Sequence, residues 1–201
     1  MIALSCYPFI IYYKYDNEWE EIMKKSMIVL TIIIFIFTVS LSFAGEQAAG
    51  KILILYYSKT GKTKVACEAL KKALGANIVE IKGVKDKIEP EHPDVSSYPF
   101  IILGSPIWMA RLSAPMCSLI AKNRFDGKKV VIFTTANSFG KVYEENSKPP
   151  VTAAGGKVVG YYLVLSKDTV NNELVDRTDI QIVGDTLKLV PEIKKCFSSL
   201  P

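Results

Sequence analysis

Histidine is almost absent from this chain of 201 residues, in which His92 is the single example. His92 lies in the segment 89–94, which is polar and broken by prolines. A histidine in such a loop is far more often a surface residue than a catalytic one. A Ser-His-Asp triad or a histidine-built metal site would therefore lack its defining residue. We predict no catalytic side chain and no metal site.

Cysteine is scarce as well, with four residues in the whole chain. Cys67, Cys117 and Cys196 are far apart, so the chain has neither a Cys-x-x-Cys pair nor the spacing of metal ligands. Cys67 and Cys117 fall in segments predicted to be helical, where a cysteine usually packs as a small core residue. Dithiol redox chemistry and a zinc site are not indicated.

Blocks of basic charge are also missing. The 25 lysines and arginines are scattered singly and in pairs among 20 acidic residues. This pattern does not mark a nucleic-acid-binding surface, and we predict no such partner. Residues 1–44 hold 3 basic and 4 acidic residues, so the remainder holds 22 and 16 and has a net charge of +6. A mildly basic domain favours anionic partners or a membrane surface.

A long apolar run occurs only near the N-terminus. A short basic segment, 23–27, precedes the almost wholly apolar residues 28–43, and Ser42 and Ala44 supply small residues at the end. This order is typical of a secretory signal peptide over residues 23–44. We therefore expect an exported protein, periplasmic or extracytoplasmic, cleaved after Ala44. The alternative is an uncleaved signal that associates with the membrane through residues 28–43, although this run is short for a span of ~20 residues.

Residues 1–22 stand in front of this signal, where a signal peptide normally begins the protein. We interpret them as translated upstream sequence with Met23 as the true start, the alternative being a genuine N-terminal extension. Residues 45–201 then form one globular domain.

The segment 51–63 joins three local signals. Residues 52–57 are an apolar run of strand length, as expected of a parallel strand buried on both faces. Hydroxyl residues and Gly61 follow, and an apolar pattern with helical spacing begins after residue 62. A helix N-terminus behind such a turn predicts an anion site. Tyr56 stands where a P-loop requires glycine, so this is not a nucleotide-triphosphate loop.

Five strands alternate with helices along residues 51–201. We predict an α/β domain with an open five-stranded parallel sheet and helices on both faces. The predicted strands are 52–57, 77–81, 98–104, 129–135 and 157–165. We expect residues 82–97 and 166–181 to be largely irregular. We expect Pro149 and Pro150 to prevent a long helix after residue 141. The last predicted helix covers 182–197, with Leu187 on its apolar face.

Ligands of such sheets lie outside the carboxyl ends of the strands. Three strands end in unusual segments: a hydroxyl-rich turn at 58–63, a Gly/Pro-containing segment with Trp108 at 104–108, and a small polar segment at 134–140. Together they suit a ligand that has a phosphate at one end and a flat ring at the other.

These segments resemble the ligand-binding loops of the flavodoxin family. Residues 57–63 resemble its phosphate loop, a hydroxyl-x-Thr-Gly-x-Thr pattern, and 104–108 resembles its second loop, which carries an aromatic residue against the flavin. Residues 134–140 fall where the third loop should lie. The resemblance covers about residues 51–165 and implies a 2-1-3-4-5 sheet with bound flavin mononucleotide (FMN).

The resemblance also implies roles for individual residues. The phosphate loop would contribute Ser58, Lys59, Thr60, Gly61, Lys62 and Thr63. The second loop would line the ring with Ser105, Pro106, Ile107 and Trp108. The third loop would meet the other side of the ring and its pyrimidine edge through Thr135, Ala136, Asn137 and Ser138.

This sequence departs from the family pattern in two ways. The third loop lacks the Gly-Asp pair and stacking Tyr common in flavodoxins, for which Phe139 or Tyr143 could substitute. The domain is basic, whereas many electron-carrying flavodoxins are strongly acidic.

We expect an exported FMN-binding electron-transfer protein whose partner is a redox protein or a small acceptor such as a quinone. The alternatives are an FMN-dependent NAD(P)H:quinone-type oxidoreductase and a flavin-free binding domain of the same fold.

Overall fold

A computed structural model of the chain describes residues 22–27, 51–84 and 87–198. Residues 22–27 form a short helix, α1. The upstream extension predicted for 1–22 and the apolar run at 28–43 lie almost wholly outside the described residues. In the described ranges, no helix combines the length and the apolar character needed to cross a membrane.

The domain alternates strands and helices. In chain order its elements are β1 (Ile52–Tyr56), α2 (Lys62–Leu74), β2 (Asn77–Glu80), β3 (Lys82–Val84), β4 (Lys87–Glu89), β5 (Phe100–Trp108), β6 (Arg111–Leu112), α3 (Ala114–Lys122), β7 (Lys129–Ala136), α4 (Lys141–Ala153), β8 (Lys157–Leu165), β9 (Lys167–Val170), β10 (Glu173–Asp176) and α5 (Asp179–Ser198).

The central sheet has the order β2-β1-β5-β7-β8, and every pair in this row is parallel. Numbered as the five predicted strands, this is the order 2-1-3-4-5, so the predicted fold is confirmed. The order reverses between β1 and β5. This switch point is where parallel α/β sheets place their ligands.

Alternate residues of β1 enter two separate cores. Ile52, Ile54 and Tyr56 pack with α2 and α5 on one face, whereas Leu53 and Leu55 pack with α3 and α4 on the other. All five residues are at most 2% exposed. A strand buried on both faces reads as a continuous apolar run, which is why β1 was recognisable in the sequence.

Helix α2 packs unusually closely on the sheet at Gly104 of β5. A Cβ atom at this glycine would lie 2.5 Å from the Cys67 sulfur and 2.8 Å from the Tyr56 Cβ. The helix ends at Gly75, whose left-handed conformation lets its amide donate to the Lys71 carbonyl. Close contact at Gly104 brings the N-terminus of α2 against the carboxyl ends of β1 and β5.

Two segments expected to be irregular are β-hairpins instead. Strands β3 and β4 pair antiparallel within 82–89, and β9 and β10 pair antiparallel within 167–176. The second hairpin turns at Asn171 and Asn172, whose φ angles are 51° and 63°. Asparagine tolerates this left-handed region, and a two-residue hairpin turn of type I′ requires positive φ at both central residues. The expectation of irregular structure was wrong because this turn signal lay within a charged, polar stretch.

The segment 104–108 is part of β5, although we expected a loop. Beyond residue 106 the chain reverses at Met109 and Ala110 (φ 50° and 62°) and pairs antiparallel with β6. The pairing of β5 with β1 ends at Gly104. Pro106 is therefore tolerated, since that side of the strand no longer needs a backbone donor.

Helix α4 continues through Pro149 and Pro150, contrary to the prediction of a short helix. Its inner face holds Ser147 and Val151, both fully buried. The Ser147 hydroxyl donates to the Tyr143 carbonyl at 2.6 Å. Packing of this face outweighs the two backbone donors that the prolines lack.

Helix α5 begins at Asp179, three residues before the predicted start. Its buried face includes Ile182, Thr186 and Val190, while Leu187 is 46% exposed. Thr186 takes the inner position because its hydroxyl donates to the Ile182 carbonyl at 2.7 Å. The assignment of Leu187 to the apolar face was therefore wrong.

Candidate functional site

The predicted phosphate loop, residues 57–63, follows β1 at the switch point of the sheet. The Tyr57 amide donates to the Gly104 carbonyl at 2.9 Å, which fixes the start of the loop against β5. The Ser58 hydroxyl oxygen is buried and has no hydrogen-bond partner within the described parts of the chain. A buried polar atom without a partner costs about 1–3 kcal/mol. An anion at this position would satisfy Ser58.

The N-terminus of α2 completes this anion-binding geometry. Gly61 precedes the helix with φ 87°, and no side chain caps the first turn. That turn contains no acidic residue, and the space in front of a Cβ at Gly61 is open. Free amides and the positive end of the helix dipole therefore face an open region. The residues of this loop fit a phosphate group.

The side chains of Lys62 and Thr63 take partners within the protein. Lys62 Nζ donates to the Arg177 carbonyl at 2.8 Å and lies 3.3 Å from Asp179 Oδ1. Thr63 is 2% exposed, and its hydroxyl lies 2.8 Å from that of Thr135. Thr63 thereby connects the phosphate loop directly to the third loop.

The Trp108 ring lies against the phosphate loop. It meets the Tyr57 ring edge to face, with centroids 5.6 Å apart and planes at 89°. Lys59 Nζ lies 5.5 Å from the centroid of the Trp108 ring, within the range of a cation–π contact. The structure thus brings together the aromatic residue and the hydroxyl-rich turn that the sequence analysis selected separately.

The other residues of the second loop differ in exposure. Ser105 is fully buried, and its hydroxyl lies 2.9 Å from the Ser113 hydroxyl and accepts from the Ser113 amide at 3.0 Å. Its side chain therefore holds the β5–β6 hairpin and does not line an open surface. Pro106 and Ile107 are half-buried.

The residues of the third loop also differ in exposure. Thr135 and Ala136 are buried, whereas Asn137 and Ser138 are exposed. Ser138 lies 3.0 Å from the Tyr143 hydroxyl. Of the two candidate stacking aromatics, Phe139 is 72% exposed, and Tyr143 is half-buried beside Ser138.

Sequence reasoning missed a set of polar contacts from the β9–β10 hairpin. Ser166 donates through its hydroxyl to Asn137 Oδ1 at 3.0 Å and through its amide to the Ala136 carbonyl at 2.8 Å. Arg177 accepts from Lys62 through its carbonyl. Ser166 and Arg177 flank the hairpin and belong to no recognisable motif, so the sequence carried no signal for their position.

Titratable groups next to the site do not supply an activated nucleophile. Burial, followed by the nearby Glu80 charge, raises the pKa of Tyr56. Burial raises the pKa of the Cys67 thiol, and it also raises the pKa of Cys117 against the opposing effect of Arg111. All three groups stay protonated at neutral pH. In the described ranges, no cluster of His, Cys, Asp and Glu is arranged to hold a metal ion.

Comparisons with known proteins agree with this geometry. A family model described as a flavodoxin domain matches residues 53–148. A flavodoxin from Nostoc sp. is 28% identical over 123 residues, which cover 56% of this chain and 69% of that protein. A flavodoxin from Synechococcus elongatus is 25% identical over 129 residues, which cover 59% and 74% respectively.

A solved structure from Bacteroides uniformis shares the fold. It is 18% identical, covers 73% of this chain and 99% of that one, and gives a TM-score of 0.53. The sheet order and the loops at its switch point define a flavodoxin-like α/β domain. In sequence the chain is similar to flavodoxins over residues 53–148, and in fold it is flavodoxin-like.

Proposed function

We propose that this protein binds FMN and exchanges electrons with a redox partner protein. The observation that carries the proposal is the buried Ser58 hydroxyl, which has no hydrogen-bond partner among the described residues, beside the uncapped N-terminus of α2. Trp108 lies next to the same loop, where a flat ring joined to a phosphate would extend. When bound, FMN supplies one- and two-electron redox chemistry.

The protein contributes binding and orientation. The hydroxyls of Ser58 and Thr60 and the amides of the first turn of α2 would hold the phosphate. Trp108 would cover one side of the ring and limit access of water there. The exposed residues Asn137 and Ser138 offer polar atoms to the other edge of the ring. No side chain needs to act as an acid or base for electron transfer.

The net charge of residues 45–201 favours a partner with an acidic surface. Scattered basic charge of +6 attracts such a surface over the Debye length of about 10 Å at 0.1 M salt. This charge differs in sign from that of strongly acidic electron carriers, so we do not propose their partners for this protein. Association with the partner should weaken as salt is raised.

FMN binding is tested by titrating the purified full-length chain with FMN and recording flavin fluorescence and the visible spectrum. Thr60→Val should weaken binding by about 1–3 kcal/mol, because it removes one hydroxyl from the phosphate. Thr152→Val, far along the chain in α4, serves as the matched control and should leave affinity unchanged. Equal affinities for wild type and Thr60→Val would refute the assignment of Thr60.

An NAD(P)H:quinone-type oxidoreductase is the second candidate. A cavity of about 340 Å³ adjoins Trp108 and includes Arg111 and Cys117 in its lining. A small acceptor next to the ring would fit a space of this size. Sustained oxidation of NADPH in the presence of a quinone would favour this enzyme over an electron carrier. Absence of any flavin uptake would leave the third candidate, a flavin-free binding domain.

We also propose that the protein is exported through residues 23–44. The support is the order of basic, apolar and small residues in this segment. Intact-mass measurement of the protein from its native envelope fraction should give a chain that begins at Gly45. A chain that begins at Met23 would indicate a retained anchor, and peptides from 1–22 would contradict translation from Met23.

A further inference from the structure

Arg177 connects two loops of the candidate site through its backbone. Its carbonyl accepts from Lys62 Nζ at 2.8 Å, and its amide donates to the Ser166 carbonyl at 3.0 Å. Ser166 in turn donates to the Ala136 carbonyl and to Asn137 Oδ1. The phosphate loop and the third loop are therefore both attached to the backbone around residue 177.

The Arg177 side chain is held between two carboxylates from different elements. Nη2 lies 2.6 Å from Asp185 Oδ2 of α5, and Nε lies 3.4 Å from Asp168 Oδ1 of β9. Nε is not aligned for a hydrogen bond, so the contact with Asp168 is ionic only. The side chain is 13% exposed. Charge-assisted contacts at this level of burial restrain the backbone more than pairs on an open surface do.

The hairpin that carries Arg177 has little apolar attachment of its own. Val170, Leu174 and Val175 are 50%, 55% and 47% exposed, so these strands bury little surface. Segments with few buried apolar contacts open easily unless other contacts hold them. The position of the hairpin therefore depends on its polar contacts, of which those of Arg177 reach α5 and the phosphate loop.

We propose that Arg177 is a positioning residue for the flavin site. Asp168 and Asp185 hold the Arg177 side chain in place. The Arg177 carbonyl then fixes the Lys62 side chain at the start of α2, and its amide fixes the third loop through Ser166. This inference rests on the proposed binding of FMN. Loops that are already in place bind more tightly, because less ordering accompanies binding.

Hydrogen exchange in the flavin-free, full-length protein tests the positioning directly. Arg177→Gln should speed exchange of the Val65 amide, which is bonded to the Gly61 carbonyl, and of the Ser166 amide, which is bonded to the Ala136 carbonyl, about tenfold, and Asp185→Asn should speed it less. Lys188→Gln is the matched control, because Lys188 pairs with the same Asp185 at 2.8 Å but is 77% exposed. Unchanged exchange in both Arg177→Gln and Asp185→Asn would overturn the proposal.

Affinity for FMN supplies the second readout. Arg177→Gln should raise the Kd for FMN about tenfold and Asp185→Asn by a smaller factor, with Lys188→Gln at the wild-type value. Faster exchange together with an unchanged Kd would overturn a role in the flavin site and leave only a role in holding the hairpin. If wild type takes up no FMN, the proposed function fails, whereas the exchange experiment still decides whether Arg177 positions the loop.

Discussion

The hydroxyl groups in the site have different roles, which their burial and hydrogen-bond partners distinguish. The Ser58 hydroxyl oxygen is buried and has no partner among the described residues, Thr63 is buried against Thr135, and Thr60 is exposed. A hydroxyl that already has a protein partner contributes to stability. A hydroxyl that lacks one contributes to ligand binding if the ligand supplies the partner.

Thr63→Val should therefore lower the free energy of unfolding by about 1–3 kcal/mol, because it leaves the buried Thr135 hydroxyl without its partner. Thr60→Val should change it by less than about 0.5 kcal/mol, as for most exposed positions. Urea unfolding of the flavin-free proteins measures both. Equal stabilities of the two variants would contradict the assignment of the Thr63–Thr135 pair.

The Asp185 carboxylate predicts a pH dependence of stability. Its hydrogen bond from Lys188, and then that from Arg177, hold the pKa of Asp185 below its usual range, against the opposing effect of partial burial. A folded-state pKa below the unfolded value of about 3.9 gives a contribution that is complete above that value. The contribution is lost as the pH falls through the folded pKa.

Urea unfolding of wild type and Asp185→Asn from pH 7 to pH 3 checks this sign. Wild type should be the more stable protein at pH 7, and the gap should close on acidification. Asp94, whose pKa is lowered by hydrogen bonds from Ser96, is present in both proteins and cancels in the comparison. A gap that widens in acid would contradict the prediction.

At the scale of elements, the tight reversal after β5 carries two residues in an unfavourable conformation. Met109 and Ala110 both have positive φ, and Met109 is 89% exposed. A residue with a Cβ atom in the left-handed region costs about 1 kcal/mol relative to glycine. The hairpin tolerates this cost next to Trp108 because β6 pairs behind it.

Ala110→Gly should therefore raise the free energy of unfolding by about 0.5–1 kcal/mol, the relief of strain exceeding the added entropy of the unfolded chain. Ala121→Gly, the same substitution at an exposed position in α3, should lower it by up to about 1 kcal/mol. Thermal unfolding distinguishes the two signs. A loss of stability in Ala110→Gly would contradict a left-handed conformation at this residue.

Packing of α2 on β5 predicts a coupled pair of substitutions. Gly104→Ala places a methyl group 2.5 Å from the Cys67 sulfur, and overpacking of this kind costs about 1–3 kcal/mol. Cys67→Ala removes that sulfur, so the double variant should lose less than the sum of the two single losses. Strict additivity in urea unfolding would show that the contact is relieved in another way.

The elements also show what the sequence could predict. β1 and β8 were predictable, because apolar runs of strand length and turn residues are local signals. The strand order was predicted only from the resemblance to flavodoxins. The continuation of α4 through Pro149 and Pro150 was not, since burial of Ser147 and Val151 is a tertiary effect. The β9–β10 hairpin was missed because its strands are mostly exposed and lack an apolar alternation.

The candidate site was predictable to a similar degree. Trp108 and the phosphate loop were selected from separate motifs. In the structure the centroid of the Trp108 ring lies 5.6 Å from that of Tyr57, which belongs to this loop. The sequence could not predict that the Ser105 hydroxyl contacts Ser113, or that the Lys62 side chain donates to the Arg177 carbonyl. Both contacts depend on hairpins, which bring residues from further along the chain back to the site.

At the scale of the whole molecule, the domain combines a flavodoxin-like sheet with a basic surface and, by our proposal, an exported location. A protein that folds after export acquires its cofactor outside the cytoplasm, so retention of FMN depends on the affinity of the site itself. The contacts that place the loops before binding, including those of Arg177, gain importance in that setting.

Titration of the purified full-length chain with FMN tests the central claim most directly. We expect saturable quenching of flavin fluorescence, a shifted visible spectrum, one FMN per chain and weaker binding in Thr60→Val. The proposed function would be contradicted if the chain takes up no FMN during titration and protein isolated from the native envelope fraction carries no yellow chromophore.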